Sequence, residues 1–581
     1  MDPYAPTALA VSNELMGRIG SGFSFLKDHG KKVQKYVMKS KKFDLITKKS
    51  WKSVVNVVLV EAKDLPDGPT NGSNVLYCKF KLGTTTHKSK QVSKSKAMWC
   101  ERFNMSLYQY GDSNLEVTVW HKGKQKNFMG RCVIDICQLE REKTHDMWLA
   151  LECGYGSLHL LVTVNGAGNS APLDSIPTTT NIHHATLEKE DFTWYKLDNL
   201  HEIGQLLVTV HGAKGLSALN LSGKADAYCV LELDNSRVQT QSIHSTNEPS
   251  WNKTFFFGVN DITSTLEITV FDESIINSMK GETLGKLSVP LLRINNEEKR
   301  WYALKNRSRK GSAKGNCPRI LLQMSVVWNP IKASMRVLSP KETKYMQKPP
   351  KFSIPLIYYN LKFVRDVFNA VYVAHEHLKR TFEWENREMC IIALACWVTF
   401  WYMFKLWMAP VLLLAPFIYC WAGQKYNANN ALLPQSDDEL SEEEVDNNKD
   451  EKTVKTRIND LQDLTFTIKN GIDFIVSLLE RINNLVNFSV PYLSYLATFA
   501  LIVLALALYL VPFNYLLITL GLYKFLRKFI NPGRIPNNDI LDFLSRVPDN
   551  QIVKRWRELN VPEPNMQRQN SVKRKLMLCD S

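Results

Sequence analysis

Between Met389 and Tyr523 the chain carries two long apolar stretches split by an acidic segment, and no other feature limits its fold as strongly. Met389–Trp421 holds a single charge, Lys405, and Leu485–Tyr523 holds none. About 20 apolar residues suffice to cross a bilayer, whereas an apolar run of about 10–14 fits a buried core helix. With no water in the hydrocarbon, each stretch must be helical so that its backbone polar groups are satisfied internally. Two long membrane segments are therefore expected, 389–421 and 485–523. Lys405 stands midway through the first, where an isolated cation costs at least about 2–3 kcal/mol. That cost predicts two shorter arms meeting near Lys405, with Pro410, Pro416, Pro491 and Pro512 marking further bends. Hairpins and single spans both return the C-terminus to the starting side. Lys524, Arg527, Lys528 and Arg534 after the last stretch argue that this side is cytosolic.

The 581 residues leave room for three or four units. The net charge is +16, from 73 Lys plus Arg against 57 Asp plus Glu. In a chain with a bilayer anchor, such an excess points to anionic phospholipid membrane rather than to nucleic acid, although lysines suit phosphates of either kind. The eleven cysteines are scattered and never spaced CxxC, which reads as reduced cytosolic thiols. The N-terminal stretch MDPYAPTALAVSNELMGRIG lacks the apolar core of a signal peptide, so insertion falls to the late segments. No phosphate-binding glycine loop, HExxH or GxSxG occurs, and the chain reads as no enzyme.

Ahead of the apolar region the texture is β-rich. A basic leader (1–52), with ten lysines from Lys27 to Lys52, precedes short runs such as VVNVVLVEA, NVLYCKFKL and NLEVTVW. Their spacing predicts a first all-β sandwich over 53–165. A linker (166–200) leads to a second sandwich over 201–330, with QLLVTVHGA, AYCVLEL and TLEITVFD. Beyond it we expect a connector and interfacial helix (331–388), an acidic loop (422–460), an amphipathic helix (461–484) and a basic cytosolic tail (524–581).

The two sandwiches repeat one internal order, and with it they resemble C2 domains. The likeness is carried by Ala62-Lys63-Asp64-Leu65 and Ala213-Lys214-Gly215-Leu216, by Gly223-Lys224-Ala225-Asp226-Ala227-Tyr228, by Trp251, and by Leu266–Asp272 followed by Leu284-Gly285-Lys286. Pro340–Tyr345, Phe382-Glu383-Trp384-Glu385 and Ile540–Pro548 extend it. Over about residues 50–560 the chain resembles the multiple C2 and transmembrane domain proteins. Many of those have three or more C2 units, where this chain has two.

The resemblance implies where calcium would bind. Calcium takes about 6–8 oxygens, so several carboxylates must converge. In the second sandwich the family positions fall on Asp226 and Asp272, with Asn220, Ser274 and Glu282 completing a poor cage. Asp226, Asp272 and Glu282 are thus candidates for a weak metal site, and no cofactor is required. In the first sandwich those positions fall on Pro69, Val75, His121 and Gly123, and the third loop offers Lys122, Lys124 and Lys126. That loop repels calcium and suits phosphate. Alternation along a strand puts Lys88, Lys90, Lys94 and Lys96 on one side, provided no bulge intervenes. These seven lysines are the candidate lipid-binding residues.

The expected function follows: a membrane-anchored C2 protein docks on anionic, phosphoinositide-containing membranes as a tether or a regulator of vesicle traffic. By resemblance the anchor would be endoplasmic reticulum or a related endomembrane, with the C2 units cytosolic and a role in synaptic transmission. Competing readings are a calcium sensor working through the second sandwich and a membrane-shaping hairpin scaffold. Homo-oligomers and protein partners stay open.

Overall fold

The computed structural model describes residues 51–65, 75–108, 112–122, 126–152, 156–166, 192–198, 202–217, 223–273, 282–309, 311–346, 354–430, 459–530 and 538–561. The chain divides into two compact units, 1–172 and 173–581.

The first unit is a two-sheet sandwich of nine strands: β1 (Trp51–Lys63), β2 (Val75–Leu82), β3 (Thr85–Lys88), β4 (Val92–Ser93), β5 (Met98–Tyr108), β6 (Asn114–Lys122), β7 (Lys126–Asp135), β8 (Thr144–Ala150) and β9 (Ser157–Gly166). One sheet runs β5-β1-β9-β8 and the other β3-β2-β6-β7, with β4 also on β2. Alternation builds the core. Leu76, Cys78, Phe80 and Leu82 of β2 point inward against Leu115, Val117 and Val119 of β6 and Val55, Val57 and Leu59 of β1. Tyr77, Lys79 and Lys81 take the opposite face.

The second unit begins with the same architecture. Its strands are β10 (Gly204–Lys214), β11 (Ala227–Leu233), β12 (Ser236–Gln239), β13 (Ser250–Val259), β14 (Thr265–Asp272), β15 (Glu282–Pro290), β16 (Lys299–Ala303) and β17 (Arg319–Trp328). Their orders are β13-β10-β17-β16 and β12-β11-β14-β15. The repeat extends to single hydrogen bonds. The Cys78 amide donates to Ser89 Oγ and the Cys229 amide to Thr240 Oγ1, both at 2.8 Å.

Nine helices follow among the described residues: α1 (Pro330–Val337), α2 (Ile354–Phe382), α3 (Arg387–Met403), α4 (Met408–Asn430), α5 (Asn459–Val486), α6 (Pro491–Leu510), α7 (Phe513–Ile530), α8 (Asp539–Arg546) and α9 (Asn550–Trp556). The expected amphipathic segments are helical, as α2 and α5.

The expectation of two long apolar spans is corrected, in that one helix of that kind is found among the described residues. The break in each stretch agrees with the arms expected to meet near Lys405 and the bend expected at Pro512. The first breaks at Phe404–Trp407, around Lys405, where Phe404 turns extended at φ −64° and ψ 121°. The second breaks at Val511–Pro512. Pro512 has no N–H to continue the helical ladder and holds Val511 out of the helical region. Among the described residues one helix, α6, is long and apolar enough to cross a bilayer, and the apolar part of α4, Met408–Gln424, is shorter. Most of α6 is not covered by protein: Phe499, Ile502, Leu506 and Leu510 are exposed.

The expected tail over 524–581 is also corrected in part. Its first residues complete α7, and α8 and α9 fold back onto the second sandwich, where Trp556 is buried. The expected acidic loop is shortened at its start, because α4 runs on to Asn430.

Candidate lipid-docking face

On the outer face of the β3-β2-β6-β7 sheet, strand register sets side chains in straight rows. Lys79 of β2 lies directly opposite Lys88 of β3 and Thr118 of β6, and Thr118 lies opposite Arg131 of β7. In the neighbouring row Tyr77 lies opposite Trp120, and Trp120 opposite Phe128. The cations rest on this aromatic row. Lys88 Nζ sits 4.0 Å from the centre of the Tyr77 ring, and Lys79 Nζ 4.8 Å from that of Trp120. Trp120 is fixed by donating to Thr118 Oγ1 at 2.9 Å, and Phe128 meets its edge at 5.5 Å.

Two like charges directly opposite each other across paired strands destabilise the pair. Ring faces offset part of that cost, at about 0.5–1 kcal/mol for an exposed cation. Among the described residues neither Lys79 nor Lys88 has a carboxylate partner. The face therefore holds cationic charge that a bound polyanion would relieve.

The other candidate lysines are spread more widely than alternation predicted. Ser89 is buried, and its hydroxyl takes the Cys78 amide, so the strand ends at Lys88. Lys90 follows with an exposed side chain, its amide donating to Glu101 Oε2 at 2.8 Å. Lys94 and Lys96 stand on a 3-10 turn over Lys94–Lys96, which spreads them around an axis instead of along one strand face. The one-sided arrangement of Lys88, Lys90, Lys94 and Lys96 is thereby corrected. Lys122 ends β6 and donates to Gln91 Oε1 at 3.0 Å. Lys126 opens β7 opposite Lys122, with its side chain outside the described residues, as is all of Lys124. Lys79 was missed from sequence, although the alternation of Tyr77, Lys79 and Lys81 against Leu76, Cys78 and Phe80 was there to read.

The second sandwich keeps the aromatic row without the cations. Tyr228 lies opposite Phe271, with rings stacked at 5.5 Å, and burial pushes the Tyr228 hydroxyl up to about 12. Val230 and Gln239 occupy the places of Lys79 and Lys88, and Glu232 pairs with Arg237 at 3.4 Å.

At the loop end of that sandwich Asp272 closes β14, fully buried, and accepts the Asp226 amide at 3.0 Å. Asp226 Oδ1 accepts the Ser245 amide at 2.7 Å and lies 3.6 Å from His244 Nδ1. Glu282 is paired with Asp272 across β14 and β15, with its side chain outside the described residues, where Asn220 and Ser274 also fall. The described residues thus join two aspartates through a backbone amide, and among them no group of three or more His, Cys, Asp or Glu is set to hold a metal. In the first sandwich Val75 and His121 are strand residues. His121 is buried beside the core, and Pro69 and Gly123 lie outside the described residues.

The C2 domain model matches residues 53–151 and 204–304. A multiple C2 and transmembrane domain-containing protein of Drosophila melanogaster is 37% identical over 90% of this chain and 57% of its own length. Protein 1 of that name from Homo sapiens is 34% identical over 89% of this chain and 52% of its own. The two calcium-bound C2 domains of extended synaptotagmin 2 match with 20% identity and a TM-score of 0.23, covering 48% of this chain and 97% of that one. The chain spans a little over half the length of the curated relatives it matches. With two matched C2 regions, a helical region after them and this likeness along nine-tenths of its length, the chain belongs to the multiple C2 and transmembrane domain protein family.

Proposed function

We propose that this protein is anchored in one membrane by its apolar helices and docks on a second, anionic membrane through the first sandwich, without calcium and without catalysis. The observation that carries this reading is the pair Lys79 and Lys88, opposed on neighbouring strands, seated on Trp120 and Tyr77, and exposed with no carboxylate partner among the described residues. Each lysine brought to an anionic surface contributes about 1 kcal/mol. A headgroup with several phosphates, such as a phosphoinositide, answers closely set cations better than a single charge. The exposed apolar surface of α6 supports the anchor, since apolar area of that extent needs lipid or protein against it. By family likeness the anchor lies in endoplasmic reticulum or a related endomembrane, and the outcome is tethering or regulated vesicle traffic.

The test is capture between two vesicle populations. Full-length protein in neutral phosphatidylcholine vesicles should gather acceptor vesicles that carry phosphatidylinositol bisphosphate. The variant Lys79→Glu/Lys88→Glu should lose that capture while remaining inserted. Capture unchanged in the variant would sink the reading. Calcium-driven docking through the second sandwich is the alternative that Asp226 and Asp272 favour, because the fold sets these two aspartates side by side at the loop end.

A further inference from the structure

The two sandwiches differ on one sheet face. In β10 of the second, inward Leu206, Val208 and Val210 are buried, while outward Gln205, Leu207, Thr209 and His211 are half-buried. That alternation suits a sheet with water on one side. In β1 of the first sandwich the inward set is Val55, Val57 and Leu59, but outward Asn56, Val58 and Val60 are buried as well. β9 beside it repeats the pattern, with outward His159, Leu161, Thr163 and Asn165 all buried. Strands buried on both faces form a middle layer, with something packed on either side.

The sheet does not cover itself. Val58 lies between Arg102 of β5 and Leu161 of β9, and Asn56 between Asn104 and Thr163. Beyond Leu161 stands Asp146 of β8. Side chains on one face stand beside one another and do not roof their neighbours. Asn104 and Asp146, on the two flanking strands, are exposed. Val58, Val60 and Leu161 take no part in the core between the sheets. Trp148 stacks on His159 at 4.6 Å and covers that residue.

Asn56 reads as a contact group. It is 2% exposed, and neither Oδ1 nor Nδ2 has a hydrogen-bond partner among the described residues. Ser53 Oγ, one turn of the pleat away, is buried in the same condition. A buried polar group left unmet costs about 1–3 kcal/mol. An amide side chain offers both donors and an acceptor, which suits the backbone of a segment laid over it.

The described elements of the first unit are its two sheets and two short 3-10 turns, so the cover comes from chain outside them. Residues 1–50 are the long stretch of that kind in this unit. The next, 66–74, joins β1 to β2 at the end away from Ser53. The 1–50 stretch runs straight into β1 at Trp51, beside Ser53 and Asn56. Its Leu15, Ile19, Phe23, Leu26, Val33 and Val37 recur at the spacing of one helical face, an apolar stripe alike in kind to Val58, Val60 and Leu161. The linker after β9 carries no comparable stripe and is interrupted by Pro172 and Pro177.

We propose that the N-terminal stretch 1–50 docks on the outer face of the β5-β1-β9-β8 sheet, its apolar stripe on Val58, Val60 and Leu161 and its backbone meeting Asn56. The leader is then a third layer of the first sandwich. It closes one sheet face and leaves the opposite one, with Lys79 and Lys88, open.

The test uses the full chain in detergent, with the photo-crosslinker benzoylphenylalanine in place of Asn104, at the exposed rim of this face, or of Lys81, exposed on the outer face of the other sheet. On irradiation the Asn104 position should join to peptides within 1–50, in a product of monomer mass, several-fold more than the Lys81 position. Ile19→Asp/Phe23→Asp, which leaves every sandwich residue in place, should cut that product several-fold. A near-parent yield in this variant overturns the proposal. So does an Asn104 product joined to 167–191 or to a second copy, the lack of any product within 1–50, or equal yields from the two positions.

Discussion

Asp261 and Arg546 lie 285 residues apart in the chain and 2.9 Å apart in the fold. The arginine side chain is fully buried and the aspartate 9% exposed. Asp261 Oδ1 is taken by the amide and hydroxyl of Thr263, at 2.9 and 2.6 Å, so the carboxylate is engaged on both oxygens.

Removing one member of a buried pair strands the other charge out of water, at a cost of about 3–5 kcal/mol. Arg546→Gln and Asp261→Asn should each destabilise the second unit on that scale in denaturant melts in detergent. The double variant Arg546→Met/Asp261→Leu should lose clearly less than the sum of the single losses. Strictly additive losses would show that the two groups do not act as a pair.

The thiols set an alkaline limit. Burial pushes the Cys132 thiol up to about 12, with the nearby Glu152 carboxylate adding to the effect, and burial also raises Cys78 and Cys229. Unfolded thiols titrate near about 8.5. Between those limits the unfolded chain gives up protons that the folded chain keeps, so stability falls as pH rises. The first sandwich should hold steady below about pH 8.5 and weaken above it, and Cys132→Val should flatten that decline. Native protein should react with maleimide at exposed Cys137 and not at buried Cys78 or Cys132.

Much of this design was legible in the residues because it is local. Alternation in NVLYCKFKL and NLEVTVW gives two faces for β2 and β6, and the single charge of the first apolar stretch, Lys405, marks the break between α3 and α4. What was hidden is non-local. Ser89 ends β3 because its hydroxyl is needed by Cys78 on the neighbouring strand, which no alternation rule contains. Asp261 and Arg546 each look like ordinary surface residues until the chain closes, and the 524–581 segment reads as a plain basic tail for the same reason. Lys79 is legible too, since β2 alternates Tyr77, Lys79 and Lys81 against a buried face.

Asp272 separates a structural from a metal-binding role in the second sandwich. It is fully buried and accepts the half-buried Asp226 amide, so its loss leaves that donor without its partner, worth up to about 1–3 kcal/mol. Asp272→Ala should lower thermal stability in calcium-free buffer. A variant as stable as the parent without calcium, and destabilised only when calcium is supplied, would assign Asp272 to a metal.

The docking face should respond in graded steps. Lys79→Ala and Lys88→Ala should each weaken binding to anionic vesicles by about 1 kcal/mol, roughly fivefold, and rising salt should shrink both effects. Lys94→Ala and Lys96→Ala, on the 3-10 turn, should cost less. Val230→Lys/Gln239→Lys should give the second sandwich an affinity for the same vesicles. Equal losses at all four lysines would point to diffuse charge instead of a built face.

The most direct measurement is flotation of the full chain with vesicles containing phosphatidylinositol bisphosphate, in chelator and at micromolar calcium, for the parent and for Lys79→Glu/Lys88→Glu. The account predicts strong binding by the parent in chelator, no gain with calcium, and loss in the variant. Binding that appears only with calcium, or that survives the double reversal, would contradict it.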